Sequence, residues 1–163
     1  MNARTAEATE LDQLASIWHD GWQDAHARIL PAELARHRTW ESFRDRLQTS
    51  LADLRVVGPR GQPLGFCIIK GDELYQLYVA AGARGAGVAA SLLADAEERL
   101  AALGVKTAWL ACAIGNERAA KFYGKSGWHR VGDMTIQLPT RDGLFPLEVW
   151  RYEKNLGGTT PLA

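Results

Sequence analysis

The sequence is short of several features that would assign it quickly. It has only two cysteines, Cys67 and Cys112, in 163 residues, and no Cys-x-x-Cys pair, which argues against a disulfide framework or a thiolate zinc site. Both lie inside apolar, strand-like runs and read as buried free thiols of a reducing compartment. The four histidines, His19, His26, His37 and His129, have no metal-ligand spacing, so no metal is expected. No apolar run approaches the ~18 residues of a membrane span. The opening MNARTAEATEL lacks a secretory hydrophobic region. These absences lead us to expect a cytoplasmic protein with no membrane partner. Net charge is also missing. Nineteen basic residues balance nineteen acidic ones, so no global field steers the chain toward nucleic acid, and no nucleic-acid partner is expected.

What is present is an ordinary globular composition, 47% hydrophobic and 23% charged, in a chain the size of one domain. We expect a domain over 1–156 and a flexible tail over 157–163. A short strand is expected over Arg4–Ala6. Thr9-Glu10-Leu11-Asp12 resembles a capping box that opens a helix with the apolar stripe Leu11, Leu14, Ile17 and Trp18, and Gly21 offers a stop. Pro31 suits the first turn of a second helix carrying Trp40, Phe43, Leu47 and Leu51. Strands are expected over Leu54–Val57, Leu64–Lys70 and Glu73–Val79. A helix from Val88 follows, ended by Gly104, then a strand Lys106–Ala113 and a helix from Asn116 to Ser126. Strands Trp128–Leu138 and Leu144–Glu153 flank the turn Pro139–Gly143. This order reads as an α/β (α+β) domain, a mixed sheet with helices on both faces.

The segment with chemistry in it is Arg84-Gly85-Ala86-Gly87-Val88-Ala89. A strand that runs into a glycine turn and then a helix points free backbone N–H groups at one place, where the helix dipole adds positive potential. Gly85 and Gly87 allow an anion close to the backbone, small Ala89 leaves room, and Arg84 can add a charge-assisted bond. By itself the loop is ambiguous, because Gly85-x-Gly87-x-x-Ala90 also fits a dinucleotide fingerprint. Three observations weigh against that fold. The loop comes late in the chain, the strand KTAWLACA ends without an acid to hold a ribose, and the residues that remain are too few for a six-stranded sheet.

Arg84-x-x-Gly87-x-Ala89 matches the Arg/Gln-x-x-Gly-x-Gly/Ala motif of the GNAT superfamily of N-acetyltransferases. Leu77-Tyr78-Val79 resembles the end of that family's fourth strand, and Asn116, Tyr123 and Gly127-Trp128 resemble its Asn…Tyr…Gly-aromatic segment. The resemblance covers about residues 54–135. Ala81 departs from it, standing where many members have Pro. The resemblance implies a single-domain, mostly antiparallel twisted sheet of six or seven strands with the fourth and fifth splayed apart. It implies acetyl-CoA as co-substrate, with its pantetheine arm between the strands ending at Val79 and Ala113. Its pyrophosphate would rest on Arg84, Gly85, Ala86, Gly87, Val88 and Ala89, and Asn116 would bond the arm. A backbone N–H near Leu77, Tyr78 or Val79 would polarise the thioester carbonyl.

Acetyl transfer to an amine raises two proton problems. An amine of pKa ~10.4 is over 99% protonated at pH 7, so deprotonation costs ~4–5 kcal/mol unless a base or a desolvating pocket helps. Glu73 or Gln76 can organise a water there. Only Glu73 can be a base, and it reads equally well as a solvated turn acid. The departing thiolate needs a proton, and the resemblance implies Tyr123 as its donor. Arg118, Lys121 and Lys125 form a basic helix face that can meet the ribose phosphate or simply face solvent. The acceptor is expected to be a small amine or a peptide N-terminus, met by the N-terminal helices and the last hairpin. Trp22, His26 and Gln76 are the candidate contacts, and assembly as a homodimer stays open. Two other readings remain at this point, a CoA-sensing module without turnover and a nicotinamide-dependent oxidoreductase.

Overall fold

A computed structural model describes residues 1–157. The expected tail therefore lies outside the described residues except for Gly157. The elements run β1 (Ala3–Thr5), α1 (Leu11–His26), α2 (Ala32–Ala35), α3 (Trp40–Thr49), β2 (Leu54–Val57), β3 (Gly65–Lys70) and β4 (Glu73–Val79). They continue with α4 (Val88–Ala102), β5 (Thr107–Ala113), α5 (Glu117–Lys125), β6 (His129–Thr140) and β7 (Gly143–Asn155). The expected strands hold in order, with ends shifted by at most two residues.

The N-terminal helices depart most from the sequence reading. The carboxylate that ties down the start of α1 is Glu10, not Asp12. Glu10 is fully buried and accepts from the Glu7 N–H at 3.0 Å, the Gly61 N–H at 3.0 Å and Arg4 Nη2 at 2.7 Å. The Arg4 guanidinium holds its carboxyl down at about 2. One carboxylate thus fastens β1, the head of α1 and the β2–β3 turn together.

Gly21 does not stop α1, which continues to His26. A Cβ at Gly21 would lie 2.6 Å from Tyr78 Cδ1, so the glycine lets the Tyr78 ring lie directly on the helix backbone. A mid-helix glycine costs ~1 kcal/mol, and here that buys close approach of α1 to β4. The helix expected from Pro31 is two helices. Thr39 Oγ1 accepts from the Ser42 N–H at 3.1 Å, an N-cap that starts α3 afresh.

The seven strands form one sheet in the order β1-β2-β3-β4-β5-β7-β6. Every neighbouring pair is antiparallel except β4 and β5, which are parallel and share a single register pair, Glu73 with Trp109. Beyond it the two strands part toward Val79 and Ala113, as the splayed arrangement requires. In β3, Phe66 and Ile68 face α1 and α3, where they join Trp18, Phe43 and Leu47. Cys67 and Ile69 face α4, with Leu92, Ala96 and Leu100. Each fully buried large apolar side chain contributes roughly 1.5–3 kcal/mol, so both faces of the sheet are firmly covered at β3, whereas β6 at the far edge is largely exposed.

The β6–β7 hairpin is longer than the sequence suggested, and its tip bends back over the α1–α3 side. Leu138, Phe145 and Leu147 pack against that core, Arg38 Nη1 donates to the Pro139 carbonyl at 3.1 Å, and His37 Nε2 lies 3.4 Å from Asp142. No helix among the described residues is long and apolar enough to cross a membrane.

Candidate active site

Two cavities meet in the gap between β4 and β5. The larger, about 420 Å³, is walled by the end of β4, the glycine loop and α5. Gly85 and Gly87 have φ of +82° and +84°, a conformation that costs an L-residue with a Cβ ~1–2 kcal/mol. Their Cβ positions meet nothing within 4 Å. No protein acceptor among the described residues takes the N–H of Gly85, Ala86 or Gly87, and α4 adds the free N–H groups of its first turn. Unpaired donors beside an open space at a helix start suit an oxyanion such as phosphate. Arg84, Gly85, Gly87, Val88 and Ala89 all line this cavity, whereas Ala86 does not. The Val88 side chain is buried, so that residue offers the cavity chiefly its backbone.

Two cations border the loop. Arg84 Nη2 and Arg118 Nη2 lie 2.9 Å and 2.8 Å from the same oxygen of Asp24 on α1. The Arg118 guanidinium, and after it Arg84, holds that carboxyl below its usual range. Lys121 and Lys125 are exposed and do not line the cavity.

β4 carries an irregularity at the junction of the cavities. Ile68 pairs with Gln76 and Ile69 with Leu74, so Tyr75 is an extra, bulged residue. A bulge resets side-chain alternation and re-aims backbone groups. Leu74, Leu77 and Val79 consequently pack toward α4, while Tyr75 and Tyr78 face α1.

The smaller cavity, about 170 Å³, lies on the other side of this bulge. The sequence candidates Trp22, His26, Glu73 and Gln76 all line it. Leu77, Tyr78, Asn116 and Tyr123 line both cavities. Trp18 and Trp22 are at once core residues and wall.

The titratable groups here are strongly perturbed. Burial pushes the Glu73 carboxyl up to about 7, with Lys70 pulling it back and Asp72 adding to the rise. Burial pulls His26 down to about 4, so its ring is neutral, and its Nδ1 has no partner among the described residues. Tyr123 packs edge-on to Phe122 at 5.3 Å and Trp128 at 6.2 Å. Burial raises its phenol well above the ordinary value, which keeps it protonated throughout the neutral range. Asn116 Oδ1 accepts the Ala119 N–H at 3.3 Å. The side chain expected to bond the arm therefore also caps α5 and has only its NH2 free.

Sequence reasoning missed part of the smaller cavity. Arg38 and Arg46 line it, as do Ile136, Leu138, Leu147 and Val149 of the hairpin. Arg46 sits between Phe43 and Leu47 of the apolar stripe and reads as a solvated position. Arg38 falls in the break between α2 and α3, which the sequence reading did not contain. The last hairpin was expected to meet the acceptor, but the sequence does not say which of its residues turn toward the cavity.

The profile of the acetyltransferase (GNAT) family matches residues 11–128. Uncharacterized N-acetyltransferases of Mycobacterium bovis and Mycobacterium tuberculosis are each 35% identical over 119 residues, covering 69% of this chain and 72% of theirs. Among solved structures, a GCN5-related N-acetyltransferase from Rhodopseudomonas palustris superposes with a TM-score of 0.73 at 21% identity, covering 94% of each chain. An N-acetyltransferase from Thermoplasma acidophilum, solved in complex with coenzyme A, gives 0.64 at 20% identity over 94% of this chain and 98% of its own. A Salmonella typhimurium protein solved with its cofactor acetyl-CoA gives 0.66 at 13% identity over 100% of this chain and 98% of its own.

Proposed function

The chain belongs to the acetyltransferase (GNAT) family, and from that premise we propose that residues 1–156 form one catalytic domain of a cytoplasmic protein that moves the acetyl group of acetyl-CoA to a primary amine. The observation that carries the reading is the junction itself. A cavity with unspent loop N–H groups meets a second, smaller cavity at Leu77, Tyr78, Asn116 and Tyr123.

In this reading the larger cavity takes the cofactor. The 84–89 loop and its two arginines receive the pyrophosphate, and the edges left unpaired where β4 and β5 part receive the amide-bearing arm. A backbone N–H beyond the Tyr75 bulge, in the Leu77–Val79 stretch, polarises the thioester carbonyl. The amine enters by the smaller cavity. Its nitrogen forms a bond to the carbonyl carbon, the carbon–sulfur bond breaks, the nitrogen gives up a proton and the sulfur takes one.

Glu73 is suited to the first proton. With its carboxyl near 7 it is ionised in a useful fraction at neutral pH, and a water can relay the amine proton to it. Tyr123 is suited to the second. Transfer from a phenol above 10 to a thiolate whose thiol has pKa ~8.5 is uphill, so it works only if the sulfur is desolvated too, which raises its proton affinity. The partly buried setting of Tyr123 provides that condition.

The test is release of free thiol from acetyl-CoA with a panel of primary amines and N-terminal peptides, alongside calorimetric binding of CoA. Amine-dependent thiol release is the expected result. Tight CoA binding with no release across the panel would leave a CoA-binding module instead. Stabilisation by NAD and not by CoA would overturn both.

A further inference from the structure

Among the ionisable side chains lining the smaller cavity, Arg38 and Arg46 are two permanent cations and Glu73 is the only acid. Arg38 is 4% exposed. It spends Nη1 on the Pro139 carbonyl, and its buried Nη2 has no acceptor among the described residues. Arg46 spends Nη2 on the Tyr75 hydroxyl at 2.7 Å, and its guanidinium lies 4.4 Å from the centre of the Trp18 ring. Neither arginine is in a salt bridge among the described residues, in contrast to Arg36, whose Nη2 lies 3.9 Å from Asp142. Burial first, and then the neighbouring Arg46, lower the Arg38 guanidinium to about 10.

A buried guanidinium without a carboxylate, next to a second one, is costly, and proteins seldom leave such a charge uncompensated. The missing component is an anion. A planar fork of N–H donors fits a carboxylate in two-point contact. The wall also has an apolar and aromatic part, with Trp22, Leu34, Ile136 and Leu138, beside the uncharged polar groups of His26, Gln76 and Asn116. At about 170 Å³ the space falls below the ~300 Å³ of a drug-sized ligand site. We propose that the acceptor is an amino acid, a small amine that also carries a carboxylate and an apolar body, and that Arg38 and Arg46 bind its carboxylate while its amine points to the Tyr78–Tyr123 junction. This rests on the acetyl-transfer reading for the reaction, but not for the binding.

The experiment compares matched amines with and without the carboxylate: leucine with isopentylamine, phenylalanine with phenethylamine, and 6-aminohexanoate with hexylamine. O-phosphoethanolamine against ethanolamine provides a phosphate arm. Each is measured for thiol release, and for calorimetric binding to the CoA-loaded protein, which needs no turnover. At least one carboxylated member should exceed its partner by about tenfold or more in kcat/KM and in binding. Arg38→Met should erase that preference by raising KM for the carboxylated amine alone, and Arg46→Met should do so in part. Because Arg38 is an uncompensated buried charge, Arg38→Met should leave Tm unchanged or raise it.

Equal use of each pair would overturn the proposal while leaving acetyl transfer intact. Preference for the phosphate arm would overturn the carboxylate assignment. Arg38-dependent binding of a carboxylated amine without thiol release would uphold the recognition and sink the transfer reading. A lowered Tm together with equal losses on both members of a pair would make Arg38 structural, and the proposal would fail.

Discussion

The two cavities that meet at Tyr123 are built on different principles. The larger has a backbone wall: Gly85 and Gly87 line it with N–H groups that no acceptor among the described residues takes, presented by one turn and one helix start. The smaller is a side-chain site, assembled from α1, α2, the α2–α3 break, α3, β4, β5, α5 and the β6–β7 hairpin. Backbone donors are the same in any sequence that takes up the turn, so the first can serve one common cofactor. Side chains from many segments can be exchanged singly, so the second can be fitted to one acceptor.

The largest expected effect lies where the two sites share a wall. Tyr123→Phe should lower kcat in the thiol-release assay by about 10²- to 10⁴-fold and leave both KM values within a few-fold, because the ring still fills its place. Wild-type kcat at all pH values would remove Tyr123 from the chemistry.

Glu73→Gln comes next and belongs to the acceptor side. As a base, Glu73 must be ionised, and its carboxyl is raised to about 7. Activity should therefore climb as pH rises through about 7. The variant should lose about 10²-fold at pH 8, and the inflection near 7 should vanish from its pH–rate profile. An unchanged inflection would assign it to another group.

Gly87→Ala probes the backbone site alone. At φ +84° the added Cβ costs ~1–2 kcal/mol, and turning the loop away from that conformation moves the donors. The KM for acetyl-CoA should rise about tenfold, with the acceptor KM unchanged. Equal rises in both would show that the two sites are not separable.

Asp24→Asn should have the smallest effect. Asp24 occupies both Arg84 and Arg118, which a pyrophosphate would claim. Releasing them should lower the KM for acetyl-CoA about two- to fivefold at low salt, and the gain should shrink as salt rises.

The same division marks what could be read from the chain. The loop and the following helix were legible because glycine at a positive φ and a strand-to-helix turn are local properties, written in six consecutive residues. The strands were legible for a similar reason, since apolar runs between turn residues need no tertiary information. Gly21 was misread as a helix stop because glycine has two uses, and only the Tyr78 ring resting on α1 shows which one applies. The break at Thr39 was lost because Trp40, Phe43 and Leu47 keep helical spacing on their own side of it.

By itself the sequence determined a mixed sheet, the glycine turn that runs into α4 and the helix that carries Tyr123, because each depends on neighbours along the chain. Trp22, His26, Glu73 and Gln76 could be named from the sequence, but only the tertiary structure gathered them with Arg38 and Arg46 around the smaller cavity. Arg38, Arg46, Glu73 and the hairpin wall belong to segments up to about a hundred residues apart, as the Arg38–Pro139 contact shows. Their electrostatics arise from burial and mutual distance, and neither exists until the sheet has bent and the hairpin has folded back over α1 and α3.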